Sequence, residues 1–262
     1  MKELNGRELV GYIKEGQARR VRQLQAKRIV PKLAIMYDND SPVIAKYMEL
    51  KQHYGDDLGI EVEKIRLDKL NAEEMMRREA EDPFVHGIIV QLPLEKLDLK
   101  ILDLIPLEKD VDGLRGQSDT ATAMAIHWLL NGYNIELPGK KIAIVGHGKL
   151  VGAPLEHMWQ ASGYDVTVYD KGSDLNELVN YDIVVSATGV PGLIKSSMLK
   201  QGAIMVDAGT ASEGGILKGD LDETVRETRD DLTVTPRVGG VGPLTVAMLF
   251  EQVLRACEKK YM

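Results

Sequence analysis

Apolar runs just long enough for a strand recur along this chain, and nearly every one is followed by a stretch with amphipathic helical spacing. That alternation restricts the chain to an α/β architecture with mainly parallel strands, because parallel neighbours need a crossover and helices supply it. A first series of strands is predicted at "KLAIMY" (32–37), around "GIEVEKIRL" (59–67) and at "GIIVQL" (87–92), with helices near 41–57 and 71–81. A second series follows at "KIAIVG" (141–146), "DVTVYD" (165–170), "DIVVSAT" (182–188), "AIMVDAG" (203–209) and "LTVT" (232–235).

Between the series a polar loop leads into a helix that starts near Asp119 or Thr120. The predicted domain boundary therefore lies between 118 and 119, with a second domain over 119–242. The last amphipathic segment, "GPLTVAMLFEQVLRACEKK", opens with Gly-Pro, ends in lysines and has no strand after it. Residues 243–262 are accordingly expected to return to the first domain, 1–118. The sequence contains no internal repeat.

Charge narrows the function. Lys+Arg is 33 against Asp+Glu 40, a formal net charge of -7 over 262 residues, which disfavours nucleic acid as a partner. The basic cluster "ARRVRQLQAKR" (18–28) fits a solvated helix face better than a nucleic-acid site. A single cysteine, Cys257, excludes an intramolecular disulfide. The amino-terminal segment has no continuous apolar stretch of the signal-peptide kind, and no uncharged apolar run has membrane-spanning length, so a cytoplasmic location without membrane contact is expected. The five histidines are scattered without metal-ligand spacing, and no metal is expected.

"IVGHGKLVGAPL" follows an apolar strand and opens a helix, with Gly146, Gly148 and Gly152 spaced G-x-G-x-x-x-G. Glycines at such a turn let the backbone approach a pyrophosphate while helix N-terminal amides point at it. A tight strand-to-helix turn without a ligand would carry the same glycines. The acidic end of the next strand, Asp170, is placed to accept from ribose hydroxyls and favours dinucleotide binding. The second domain is thus expected to be Rossmann-type. A carboxylate at that position repels a 2′-phosphate and leans the cofactor toward NAD over NADP, a lean that Lys171 and Lys149 would soften. Thr188 and Gly189 in "ATGVPG" and the glycine of "DAGT" end later strands and suit loops beside a bound nucleotide, or ordinary turns.

The first series ends on an amide: "HGIIVQLPL" (86–94) is apolar until Gln91 and then runs through Leu92 to Pro93. A side chain that both donates and accepts, at the end of a rigid strand, can orient another polar group, although a strand reaching the surface would look alike. Tyr47 and Lys51, four apart on a predicted helix, share a face. "KDVDG" (109–113) alone would be a charged turn.

Taken in order with "LNGRELV", "PKLAIMYDND", "ATGVPGLI" and "GGVGPLTVAML", these motifs resemble the methylenetetrahydrofolate dehydrogenase/cyclohydrolase family nearly end to end. The resemblance implies an N-terminal α/β domain joined to a Rossmann-type domain with a folate cleft between them, and a homodimer. It also implies oxidation of 5,10-methylenetetrahydrofolate with NAD(P), then hydrolysis of the methenyl product. By position, Lys51 matches the principal catalytic group, Gln91 the residue that holds it, Tyr47 the ring stacked near the folate, and Asp112 the acid that binds the pterin. Leu92, Pro93, Gly239, Gly240 and Pro243 fall in the matching substrate motifs. Gly146, His147, Gly148, Lys149, Gly152, Asp170, Lys171, Thr188 and Gly189 fall in the cofactor motifs.

The chain departs from the family in four places. The loop 114–126 lacks the family's cysteine, prolines and glycine, and "PRVGGVG" puts Arg237 and Val238 where apolar and proline residues are usual. Ile44 replaces a serine, and His147 replaces an arginine available to a cofactor phosphate. Two rivals are a shikimate-dehydrogenase-like NAD(P) oxidoreductase, which gives no reason for the three first-domain motifs, and a nucleotide-binding relative without turnover.

Overall fold

A computed structural model describes residues 1–116, 119–213 and 216–261. The chain divides into two compact units, Met1–Val10 with Thr122–Thr245, and Gly11–Ala121 with Val246–Met262. In chain order the elements are β1 (Lys2–Glu3), α1 (Gly6–Ala26), β2 (Lys32–Tyr37), α2 (Pro42–Leu58), β3 (Glu61–Arg66), α3 (Ala72–Glu81), β4 (Gly87–Val90) and α4 (Ala121–Gly132). They continue with β5 (Lys141–Val145), α5 (Gly152–Ala161), β6 (Asp165–Tyr169), β7 (Ile183–Ser186), β8 (Ile204–Asp207), β9 (Ala211–Glu213) and β10 (Ile216–Lys218). The last are α6 (Glu223–Thr228), β11 (Thr233–Val234) and α7 (Val241–Tyr261).

In the unit built on Gly11–Ala121, β2 is flanked by β3 and β4 in a parallel sheet. All four β4 residues are buried, as expected of a strand covered on both faces. Backbone of 109–111 runs beside β4 through a bridge from Ile88 to Asp110. Gly87 is required there, since a side chain would start 2.9 Å from Val111 and 3.0 Å from Val253. Residues of α7 complete this core: Phe250 is buried with its ring 5.1 Å from that of Tyr54, whose hydroxyl donates to Gln17.

The basic cluster is solvated at Arg19 and Arg22 on α1 and at Lys27 and Arg28 in the turn after it, but not at Arg20. Arg20 bridges Glu251 at 2.7 Å and Glu258 at 2.6 Å, so a cluster expected to face water also fastens α1 to α7. Charge composition alone does not identify that partner, because the two glutamates lie more than 200 residues away.

The other unit carries a six-stranded parallel sheet in the order β1-β11-β8-β7-β5-β6. The chain leaves β5 to one side for β6 and returns on the other side for β7, so the strand order reverses beside β5. In open α/β sheets ligands bind outside the carboxyl ends of the strands at such a reversal. Lys2 and Glu3 pair with Thr233 and Val234 at the sheet edge, and the first ten residues accordingly group with this unit. A two-residue strand has no periodicity to read. The antiparallel pair of β9 and β10 and the short α6, capped by Asp222, were likewise not visible as patterns. Helix α7 begins at Val241, which leaves Pro243 in a first turn that needs no backbone donor. Among the described residues no helix is long and apolar enough to cross a membrane.

His86, just before β4, is buried with one ring nitrogen engaged: Nδ1 accepts from the Lys32 N–H at 3.1 Å. The neutral ring then carries its proton on Nε2, which has no hydrogen-bond partner among the described residues and lies in a ring edge-on to Tyr261. Burial, with the neighbouring Lys260 and Lys109 ammonium groups, pushes the His86 pKa down to about 4. The unfolded chain therefore binds this proton more tightly than the folded one. The contribution is full above the unfolded value of 6.5 and is lost as pH falls from there through about 4. Melting curves from pH 7 to pH 4 should show an acid-side loss of about 3 kcal/mol that His86→Gln, which keeps an acceptor for Lys32, removes.

Candidate active site

Helix α2 starts where Ser41 accepts the Ile44 N–H and Pro42 occupies the first turn. Ile44, in place of the serine of the resemblance, is buried and joins Met48 and Tyr54 on the inner face. One turn apart, Tyr47 stays exposed and Lys51 is half-buried. Lys51 Nζ donates to Gln91 Oε1 at 2.6 Å. The amide is oriented by its surroundings: the Gln91 N–H bonds Met36 O at 2.8 Å, and Nε2 donates to Leu92 O at 3.1 Å. Its oxygen is thus the atom left for the amine.

The turn after Gln91, with a cis Leu92–Pro93 peptide and Pro93 exposed, leads to a loop held from below. Asp38, fully buried, accepts the N–H groups of Glu95, Lys96 and Leu97 at 2.8, 2.7 and 2.9 Å. The three charges of "KDVDG" separate by geometry. Lys109 Nζ donates to the carbonyls of Glu79, Ala80 and Asp82 at the carboxyl end of α3. Asp110 accepts the N–H groups of Leu114 and Arg115, each at 3.0 Å. The charge that acts on Lys51 is that of Asp112.

Burial pushes the Asp112 carboxyl pKa up to about 6, against the opposing pull of Lys51 and of a backbone hydrogen bond from Ala121. Burial also lowers the Lys51 pKa, and the Asp112 charge offsets part of that fall. Burial thus shifts both groups toward their neutral forms, the amine downward and the carboxyl upward, as at sites where side chains exchange protons. Within this unit the structure therefore assembles Lys51, Gln91 and Asp112, with Tyr47 one helical turn away.

In the other unit, the loop after β5 is shaped by two of its three glycines. Gly146 has φ +94°, and a side chain on it would start 2.8 Å from Ala187 O and 3.0 Å from Thr188 Cγ2. A methyl group on Gly152 would overlap the Gly146 carbonyl oxygen. Gly148, in contrast, has nothing within 4 Å of the position of a side chain, so its open face is where a ligand can approach. His147 Nε2 lies 2.8 Å from Glu156 Oε2 on α5. Lys149, Asp170 and Lys171 are exposed, with Asp170 directly after β6 as expected. Thr188 and Gly189 follow β7, on the other side of β5.

Gly239, Gly240 and Pro243 also belong to this unit. Gly239, at φ +99°, leaves room for Arg7, and Arg237 Nε approaches Glu223 at 3.5 Å. Of the altered segment 114–126, Gln117 and Ser118 lie outside the described residues; Ala121 onward is α4. Among the described residues no three His, Cys, Asp or Glu side chains are grouped to hold a metal. Sequence reasoning passed over Asp38, Asp110 and Asp220 as supports of these loops. The signal available was an acidic residue directly after a strand or glycine; its specific backbone partners had no signal.

Two family models cover the chain: residues 4–112 match the catalytic domain of tetrahydrofolate dehydrogenase/cyclohydrolase, and residues 120–261 match its NAD(P)-binding domain. Bifunctional protein FolD of Desulforamulus reducens is 35% identical, covering 98% of this chain and 97% of the relative. The crystal structure of bifunctional FolD from Campylobacter jejuni superposes with a TM-score of 0.92 at 31% identity, over 99% of each chain. The Trypanosoma brucei FolD, solved with NADP cofactor and inhibitor, gives a TM-score of 0.87 at 26% identity over 97% of this chain and 96% of that one. Both halves match one family, which removes the shikimate-dehydrogenase-like alternative.

The glycines give a test of the loop. Gly152→Ala should lower Tm by roughly 5 °C or more through overpacking, while Gly148→Ala should leave Tm within about 2 °C. Thermal melts of the two variants check this.

Proposed function

The chain belongs to the tetrahydrofolate dehydrogenase/cyclohydrolase family, and we propose from that premise how its residues oxidise 5,10-methylenetetrahydrofolate with NAD(P) and hydrolyse the 5,10-methenyl product to 10-formyltetrahydrofolate. The observation that carries the proposal is the 2.6 Å hydrogen bond from Lys51 to Gln91, made where burial lowers the lysine's affinity for its proton.

A dinucleotide fits the residues present after β5: a positive-φ glycine at the strand exit, a second glycine against which the helix closes, and an open Gly148 between them. Gly146, Gly148 and Gly152 would hold the pyrophosphate and Asp170 the ribose hydroxyls. When bound, the nicotinamide accepts the hydride that leaves the one-carbon bridge. That departure leaves the methenyl carbon as a delocalised cation and needs no base.

Hydrolysis needs proton transfer. We assign Lys51, in its neutral form, to take a proton from the water that adds to the methenyl carbon. As the carbon–N5 bond breaks, N5 takes up a proton and the hydroxyl of the adduct loses one, so one proton is released overall. The nearby substrate cation and the dry surroundings both favour the neutral amine. Gln91 orients that amine without adding a charge. Asp112, as the carboxylate, accepts from adjacent N–H donors of the pterin, and Tyr47 offers an exposed ring for stacking.

Two features support NAD as the preferred nucleotide. Asp170 is exposed after β6, where it would repel a 2′-phosphate, and His147 is already engaged by Glu156. Initial rates with each nucleotide should give several-fold higher kcat/KM with NAD; a preference for NADP overturns this assignment.

Lys51→Met should lower methenyl hydrolysis at least ~100-fold and leave nucleotide affinity unchanged, and retained hydrolysis removes Lys51 from the role given to it. The pH dependence follows from Asp112, whose carboxyl is raised to about 6 by burial. Below that value it is protonated and loses the charge that attracts the pterin donors. KM for the folate should therefore rise about tenfold per pH unit as pH falls below 6, and Asp112→Asn should flatten that limb.

A further inference from the structure

The carboxyl ends of β5 and β7 lie side by side where the strand order reverses, so two loops border any ligand bound there. The loop after β5 is held by the overlap of its own glycines. The loop after β7, residues 187–192, is held differently. Ser186 ends β7, and its hydroxyl donates to Asp220 Oδ2 at 2.6 Å. The Thr188 N–H donates to the same oxygen, also at 2.6 Å. One carboxylate oxygen thus fixes the chain on both sides of Ala187, and Ala187 O and Thr188 Cγ2 are the atoms that a side chain on Gly146 would meet.

Asp220 is itself immobilised. It is fully buried, its N–H donates to Asp207 Oδ1 at 3.0 Å, and its carbonyl accepts from Ile194 at 2.9 Å. Its carboxyl group fills the space a side chain on Gly209 would take, and Asp207 does the same against Gly219. The second oxygen, Asp220 Oδ1, is buried with no hydrogen-bond partner among the described residues. A half-satisfied carboxylate is a costly way to fill space, since burying it opposes folding unless all its acceptor sites are used. Strong acceptance by Oδ2 is what distinguishes it from an apolar filler at this position.

We propose that Asp220 is a positioning residue for dinucleotide binding, acting through Ser186 and Thr188 to hold the 187–192 loop against the glycine loop. The proposal rests on the reading above that these two loops contact the nucleotide. It separates the two activities of the chain, because hydrolysis of the methenyl substrate needs no dinucleotide.

Asp220→Ala, Asp220→Asn and Ser186→Ala test it. For each, nucleotide affinity is measured by calorimetric titration of NAD and NADP without folate, and methenyl hydrolysis is followed without nucleotide. Asp220→Ala should weaken nucleotide binding and raise nucleotide KM roughly tenfold, while hydrolysis stays within about twofold of the parent protein. Asp220→Asn keeps an oxygen for both donors and should recover affinity to within about threefold, with Ser186→Ala between the two. Unchanged nucleotide affinity in Asp220→Ala overturns the proposal, as does a parallel loss of binding and hydrolysis, which would mark Asp220 as merely structural. If Asp220→Ala does not fold, unchanged affinity in Ser186→Ala overturns it equally. A parent protein that binds nucleotide but does not turn over folate would defeat the folate assignment and leave the calorimetric comparison standing.

Discussion

Where parallel strands end, the backbone N–H groups of the following loop have no neighbouring strand to accept them, and in this protein buried carboxylates do so. Asp38 takes three such groups after β4, Asp110 takes two beyond the 109–111 segment, and Asp207 takes those of Gly209, Asp220 and Leu221. An ionised carboxylate is expensive to bury, but each N–H it accepts contributes roughly 1.5–3 kcal/mol and leaves one fewer orphan donor in the core. The loops that border both candidate sites are consequently fixed by acidic side chains that accept their backbone N–H groups. Burial raises the pKa of Asp207, and its three backbone donors oppose the rise.

The same principle, inverted, produces the reactive pair. Asp112 accepts a backbone bond from Ala121 but sits beside another acid, Asp110, and far enough from water that its pKa reaches about 6. Lys51 has one neutral partner, Gln91, and therefore receives no full compensation for its lost hydration. Lys109 differs in its hydrogen bonds: three carbonyl acceptors at the end of α3 occupy its three donors, although burial and the neighbouring Lys260 lower its pKa as well. Chemical identity does not separate Lys51 from Lys109, or Asp112 from Asp110. The number and charge of their partners does.

This explains which features were legible in the sequence. Strand and helix positions were, because burial imposes period 2 or 3.6 on the chain, and the strands from "KLAIMY" to "LTVT" fall where their apolar runs stand. The Tyr47–Lys51 face was legible from spacing alone. The partnership of Lys51 with Gln91, forty residues on, needed the resemblance of ordered motifs, since nothing local couples them. Arg20 was taken for a solvated charge because its partners come from the last helix, and β1 escaped notice because two residues carry no period. The burial of Asp38 and Asp220 ran against the usual expectation that a lone acid in a loop is exposed.

Packing also divides the glycine loop into positions that must stay and positions free to change. Gly146 and Gly152 meet backbone atoms, so any side chain there displaces the strand exit or the helix start. Gly148, Lys149, Asp170 and Lys171 face outward, where no neighbour restricts their identity. His147 stands between the two classes, half-exposed yet tied to Glu156 on α5, so replacing it alters the surface of that helix. Around this loop, the positions whose replacement disturbs the fold least are therefore the exposed ones, while Gly146 and Gly152 are held by packing against backbone.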